Sequence, residues 1–307
     1  DAENGTAESI TTIQLDAEGK PESEGGSGHW ECDDATNFNL LLYDGTFTLQ
    51  PSSEPGAESA LQTDLDIRED AEFNGGTVGL GTNNNGTISG GTFQGGVYNS
   101  GTISNGTFQG GVNNSDTISG GTFQGNVGNW GTISNGTFQG NVDNWGTISN
   151  GTFQREVDNC GTISNGTFQQ PVNNSKTILD GIFQGKVANF RTISGGTFEE
   201  VVEMNESTEG TTIEGGTFKK GIELNAYSPT ITDGLFDGKV SAAEDYSGML
   251  MLSISGGLFT NAAAISTISP SNLSITGGYF VNKPALREGN DIAFTSVSDQ
   301  DGRAFQV

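Results

Sequence analysis

Basic residues, histidine, cysteine and long apolar runs are all scarce in this chain of 307 residues. Twelve Lys and Arg stand against 38 Asp and Glu, a net charge of −26, which argues against nucleic acid and anionic lipid as partners, because both recruit basic patches. No run approaches the ~18 apolar residues of a membrane-spanning helix, so membrane insertion is not expected. One histidine and two cysteines leave no Cys/His cluster of the kind that holds zinc. Cys32 and Cys160 lie in regions that differ in composition, far enough apart that no disulfide between them is expected. Asp1 opens without a charged segment and apolar core, which fits a mature or trimmed secreted chain.

What is abundant is glycine, 48 residues, and most of it is periodic. Gly-Thr-Ile-Ser-x-Gly-Thr-Phe-Gln recurs every 15 residues, with Ile at 88, 103, 118, 133, 148, 163, 178 and 193 and Phe five residues after each. Val follows four residues later, from Val97 to Val187 and then Val202. A fixed short period marks a solenoid. Each unit holds three segments of alternating polar and apolar residues, exemplified by Thr87-Ile88-Ser89, Thr92-Phe93-Gln94 and Gly96-Val97-Tyr98. Strict alternation predicts strands with Ile, Phe and Val facing inward. Gly two residues before each Phe, preceded by Asn, Gly or Asp, supplies the corners.

The fold class expected is therefore all-β: a single-stranded parallel β-helix with three short strands per 15-residue coil. Asn recurs two residues after each Val, at 99, 114, 129, 144, 159, 174 and 189. Such a column resembles the asparagine ladder of right-handed parallel β-helices, and the right-handed form is chosen on that ground. Gln94 to Gln184 form a second, external column. The register extends back to Phe73 and Val78 and forward, with insertions, through Ile213/Phe218, Ile231/Phe236, Ile254/Phe259 and Ile275/Phe280. That gives about 13 coils, or roughly 60 Å at the spacing of paired strands. No single coil buries enough to offset its own ordering entropy, so stacking is obligatory.

Three regions follow. Residues 1–72 carry 18 acids against Lys20 and Arg68 and read as an acidic β-hairpin cap over the first coil. Residues 73–282 are the β-helix, regular over 73–202 and looser over 203–282. Residues 283–307, with Ile292-Ala293-Phe294, read as the C-terminal cap.

Candidate chemistry is thin. Trp130 and Trp145 share one slot of consecutive coils, with Phe190 three coils on, and such rings can stack on sugars or shield a corner. Asp143 and Asp158, with Glu156 beside them, offer a Ca²⁺ site or solvated surface charge. No other cofactor is expected. Short, uniform corners give no cleft, and the longer connections at 199–209 and 242–248 are where a polysaccharide lyase or hydrolase would have to build one. Columns of Thr and Ser, Thr87/Ser89 to Thr162/Ser164, resemble the faces of insect antifreeze β-helices, so ice binding is a further alternative. Asn-Gly-Thr at 105, 135, 150 and 165 matches a glycosylation acceptor, but the corner already requires Asn-Gly.

The repeated Ile88-Ser89-Gly90-Gly91-Thr92-Phe93, the late Ile275-Thr276-Gly277-Gly278-Tyr279-Phe280 and the lead-in Tyr43-Asp44-Gly45-Thr46-Phe47-Thr48-Leu49 resemble segments of secreted, cell-surface repeat proteins of Gram-positive gut bacteria. The resemblance implies an extracellular, adhesin-like β-helix attached to the cell surface, non-enzymatic, with glycans or host and cell-wall components as partners. It carries over no catalytic residue.

Overall fold

In the computed structural model the described residues are 10–22, 28–33, 39–208, 210–243, 250–261, 265–266, 273–281, 295–296 and 305–306. They form strands and turns and no helix, and the strands pair in parallel as stacked coils of a β-solenoid. Two compact units divide the chain, residues 1–142 and 143–307.

The first unit begins with β1 (Thr11–Gln14), β2 (His29–Asp33), β3 (Asn39–Gln50) and β4 (Leu65–Gly75). A hairpin is present, since β2 pairs antiparallel with β3. Parallel stacking nevertheless reaches further back than the 15-residue period. β1 pairs parallel with β3 at Thr11↔Phe47, and β3 pairs parallel with β4 at Leu40↔Leu65 and Phe47↔Phe73. The outer edge of β3 is thus shared by a parallel and an antiparallel partner. The irregular spacing hid this: β3 meets β4 with two register shifts, so no constant interval marks the coil.

From β4 onward the register is the one the repeat predicts. Phe73 pairs with Ile88 and Val78 with Phe93, after which Ile stacks on Ile and Phe on Phe. Ile, Phe and Val of the regular coils are 0–1% exposed. Phe93, Phe108, Phe123 and Phe138 stack at 4.7–5.0 Å between centroids with 6° between planes, a spacing imposed by strand pairing. Phe73 meets Phe93 edge-on at 63° because it stands in the Ile column instead.

The second unit is built from coils of the same kind. Ile193 pairs with Ile213, Ile213 with Ile231, Ile231 with Ile254 and Ile254 with Ile275, and the Phe column runs unbroken from Phe153 to Phe280. Corner glycines hold left-handed backbone, as at Gly166, φ +132°, where a β-carbon would sit 3.2 Å from the Gly151 oxygen and from the Phe168 ring. The insertions lengthen the Val strands to Val202–Asn205 and Gly221–Asn225. At the end, 305–306 pairs antiparallel with Tyr279–Phe280. Ile292-Ala293-Phe294 and most of 283–307 lie outside the described residues.

In each unit the asparagines form a buried amide ladder. Asn84 donates to Asn99, Asn99 to Asn114 and Asn114 to Asn129 at 2.6–2.7 Å. Asn144, Asn159, Asn174 and Asn189 repeat the pattern at 2.7 Å. Each ladder has polarity, and in the first unit the opening acceptor, Asn84 Oδ1, is buried without a partner. In the second unit the last donor, Asn189, ends on the Met204 sulfur at 3.5 Å.

Candidate functional site

The residue after each ladder asparagine stands at an outward corner, and its backbone N–H closes the coil. In the first unit Ser100 and Ser115 donate to the asparagine carbonyl of the preceding coil at 2.7 Å and Trp130 at 2.8 Å. The corner therefore closes as well on serine as on tryptophan. Trp130 is 53% exposed, and its ring occupies the space above Gly128, 2.9 Å from where a β-carbon there would stand. In the second unit the same column carries Trp145, 46% exposed, then Cys160, Ser175 and half-buried Phe190.

One position further along the coil the column is Gly86, Gly101, Asp116, Gly131, Gly146, Gly161, Lys176 and Arg191. Glycine is favoured because a β-carbon on Gly131 or Gly161 would lie 2.0 Å from the carbonyl oxygen of the coil before. Where glycine stands, the next threonine bonds across at 2.7–2.9 Å: Thr132 to Asp116, Thr102 to Gly86 and Thr162 to Gly146. At Asp116, Lys176 and Arg191 that bond lengthens, to 3.2 Å at Thr117, 3.3 Å at Thr177 and 3.0 Å at Thr192. At Thr211, the equivalent position of the next coil, Thr212 bonds to Arg191 at 2.8 Å, so a side chain here does not always lengthen the bond.

Two of those three exceptions line one groove. It has a volume of about 480 Å³ and is floored by Cys160 and Ser175, flanked by Lys176 and Arg191, and bounded by Phe190 and the 206–208 connection. Residues 206–208 of the connection where a cleft was expected line this groove, while a second concavity of about 240 Å³ lies away from both expected connections, at Gly45, Thr46, Glu72 and Thr87; Glu209 and 244–249 lie outside the described set. Of this lining the sequence points to Phe190 as a ring for ligand contact and to the 199–209 connection as a wall. The interruption of the glycine column at 176 and 191 was the available signal for the rest.

The three acids expected as Ca²⁺ ligands lie near enough for their charges to act on one another. Burial raises the Asp143 carboxyl above its ordinary 3.8, and the charges of Asp158 and Glu156 add to the effect. Asn173, however, donates its amide to Asp158 at 2.6 Å and to Glu156 at 2.9 Å. Among the described residues no three His, Cys, Asp or Glu side chains group so as to hold a metal ion. Neither cysteine is in a disulfide, and both are exposed.

The Ser column is partly engaged by the protein. Ser104 and Ser119 donate to Ile88 and Ile103 carbonyls at 3.2 and 3.3 Å, and Ser194 donates to Glu214 at 2.8 Å. Exposed Leu179 interrupts the Ser column, and exposed Ile182 interrupts the separate Thr column of the Phe strands. No helix among the described residues is long and apolar enough to cross a membrane. No protein-family model, curated protein or solved structure matches this chain.

Proposed function

We propose that the chain is a non-enzymatic, extracellular, adhesin-like β-solenoid that holds aromatic side chains in fixed positions for contact with glycans at a cell surface. The observation that carries this reading is the exposure of Trp130 and Trp145, 53% and 46%, at a corner that Ser100 and Ser115 close with the same backbone bond. The fold does not require tryptophan there. A large aromatic face left in water costs solvation that a ligand can recover. Sugar rings suit such a face, because one side presents C–H groups to the indole while the hydroxyls stay solvated. Side chains anchored on regularly paired strands have little further freedom to lose, which lowers the ordering cost of binding.

A panel of mucin and plant polysaccharides tests the reading, with the native chain compared against Trp130→Ala, Trp145→Ala and the double variant. Saturable binding that weakens at least about tenfold in the double variant is expected, an energy typical of losing an aromatic anchor. Incubated glycans should keep their length. Binding to no glycan would leave a spacer for another domain, and shortened chains would make the protein an enzyme.

A further inference from the structure

From the groove at Cys160, Ser175, Lys176, Phe190, Arg191 and Glu206, we infer a binding site for an acidic glycan, a short oligosaccharide bearing carboxylate or sulfate groups. The inference rests on the glycan-contact reading above and narrows it to one site and one class of sugar.

Three observations carry it. The first is shape: the 206–208 connection rises beside a corner column whose floor, Cys160 and Ser175, is small where the neighbouring positions of that column, Trp145 and Phe190, are aromatic. A trough two coils wide results, about the width of two strand spacings, with the Phe190 ring at one end for a sugar to rest against.

The second is charge. Over residues 171–198 Lys176, Lys186 and Arg191 face a single acid, Asp180, in a chain that is otherwise strongly acidic. Lys186 is held by Glu203, whereas exposed Lys176 makes no salt bridge among the described residues. At physiological salt the field of distant acids is screened within about 8 Å, so the local potential is set by the groove's own lining, Lys176 and Arg191 against the single acid Glu206. Glu206 supplies an acceptor for sugar hydroxyls.

The third is that these cations stand where the fold resists them. Lys176 and Arg191 stand at the repeat position where a β-carbon on Gly131 or Gly161 would lie 2.0 Å from a carbonyl oxygen, and the bond across Lys176 is 3.3 Å long. Local rules of a repeat are broken most informatively where function demands it. The remaining exception, Asp116, has its carboxylate occupied by the Thr117 hydroxyl at 3.1 Å.

That last point makes the test clean, because Lys176→Gly and Arg191→Gly restore the residue the corner prefers and should leave the melting temperature equal or higher. Binding would be measured for oligomers of polygalacturonate, chondroitin sulfate and neutral galactan, in parallel with iodoacetamide alkylation of Cys160 resolved by mass spectrometry, Cys32 serving as the reference thiol. The expected result is binding of one or both acidic oligomers, slowed alkylation of Cys160 but not Cys32, and about tenfold or greater weakening in either glycine variant without loss of stability. Which acidic oligomer binds identifies carboxylate or sulfate as the group recognised. If acidic and neutral oligomers bind alike, and Trp130→Ala/Trp145→Ala abolishes binding while the glycine variants do not, the groove assignment is overturned and the general glycan reading stands. If nothing binds, both fall.

Discussion

At the residue scale, the ladder asparagines carry more of the specification than their polarity suggests. Asn159 accepts from Asn144 and donates to Asn174, both at 2.7 Å, and also donates to the Gly161 carbonyl at 3.0 Å, all in buried surroundings. Truncation leaves the Asn174 side-chain carbonyl without its ladder donor and the Asn144 amide with only the Gly146 carbonyl at 3.2 Å, each loss costing about 1–3 kcal/mol. Asn159→Ala should therefore destabilise by about 2–6 kcal/mol in urea unfolding, where Ser175→Ala, one corner column away and exposed, should cost well under 1 kcal/mol. Equal midpoints for the two variants would show that the ladder is decoration. Asp143 behaves oppositely. Its folded carboxyl titrates above its ordinary value, first because of burial and then because Asp158 and Glu156 repel its charge. The folded state thus holds the proton more tightly than the unfolded state, and this stabilisation, present at acid pH, is lost as pH rises through the folded pKa. Asp143→Asn should raise the melting temperature at pH 7 and lose that advantage as pH falls below about 4. A gain that persists unchanged at acid pH would point to a cause other than charge.

At the scale of strands and coils, the sequence was legible wherever the period was constant. Ile88 to Ile193 and Phe93 to Phe198 fall in the predicted register because each coil has the same length. The later pairs remain legible through insertions because the five-residue Ile-to-Phe spacing is kept. β3 and β4 were not, since their bulged register and long strands erase the interval. The groove was hidden for a different reason: Lys176, Arg191 and Glu206 are separated along the chain, and only the fold brings a glycine column and an insertion together. The insertions bring their own compensation. Where the ladder gives way to buried Met204 and Leu224, adjacent coils are tied by Lys219 to Glu199 at 2.7 Å and Lys220 to Glu200 at 2.6 Å. All four side chains are exposed, so a double-mutant cycle on Lys220→Ala and Glu200→Ala should give a coupling of only about 0.2–1 kcal/mol that vanishes in molar salt. A larger, salt-resistant coupling would mean that these pairs, and not the apolar columns, hold the looser coils.

At the scale of the whole molecule, a solenoid of this kind has stability that is a sum of coil terms and nearest-neighbour terms, so losing one coil of many removes only its own terms, whereas losing register disrupts every pairing at the junction. Residues 101–115 make one complete coil, closed by Ser100 and Ser115 at equivalent corners and carrying one Ile, one Phe, one Val and one ladder asparagine. Deleting 101–115 joins Ser100 to Asp116 as Ser115 was joined, and every downstream residue keeps its face. Deleting 102–115, fourteen residues in place of fifteen, shifts all following side chains by one position at the junction, which exchanges inward and outward faces in a strand. The 15-residue deletion should melt cooperatively within a few degrees of the native chain and retain its β circular dichroism. The 14-residue deletion should be strongly destabilised and bind a hydrophobic dye, because a period-two pattern tolerates no single-residue slip. Comparable melting of the two deletions would mean that the corner glycines absorb the shift by local looping, and that the three-column core is less strictly indexed than its pairing shows.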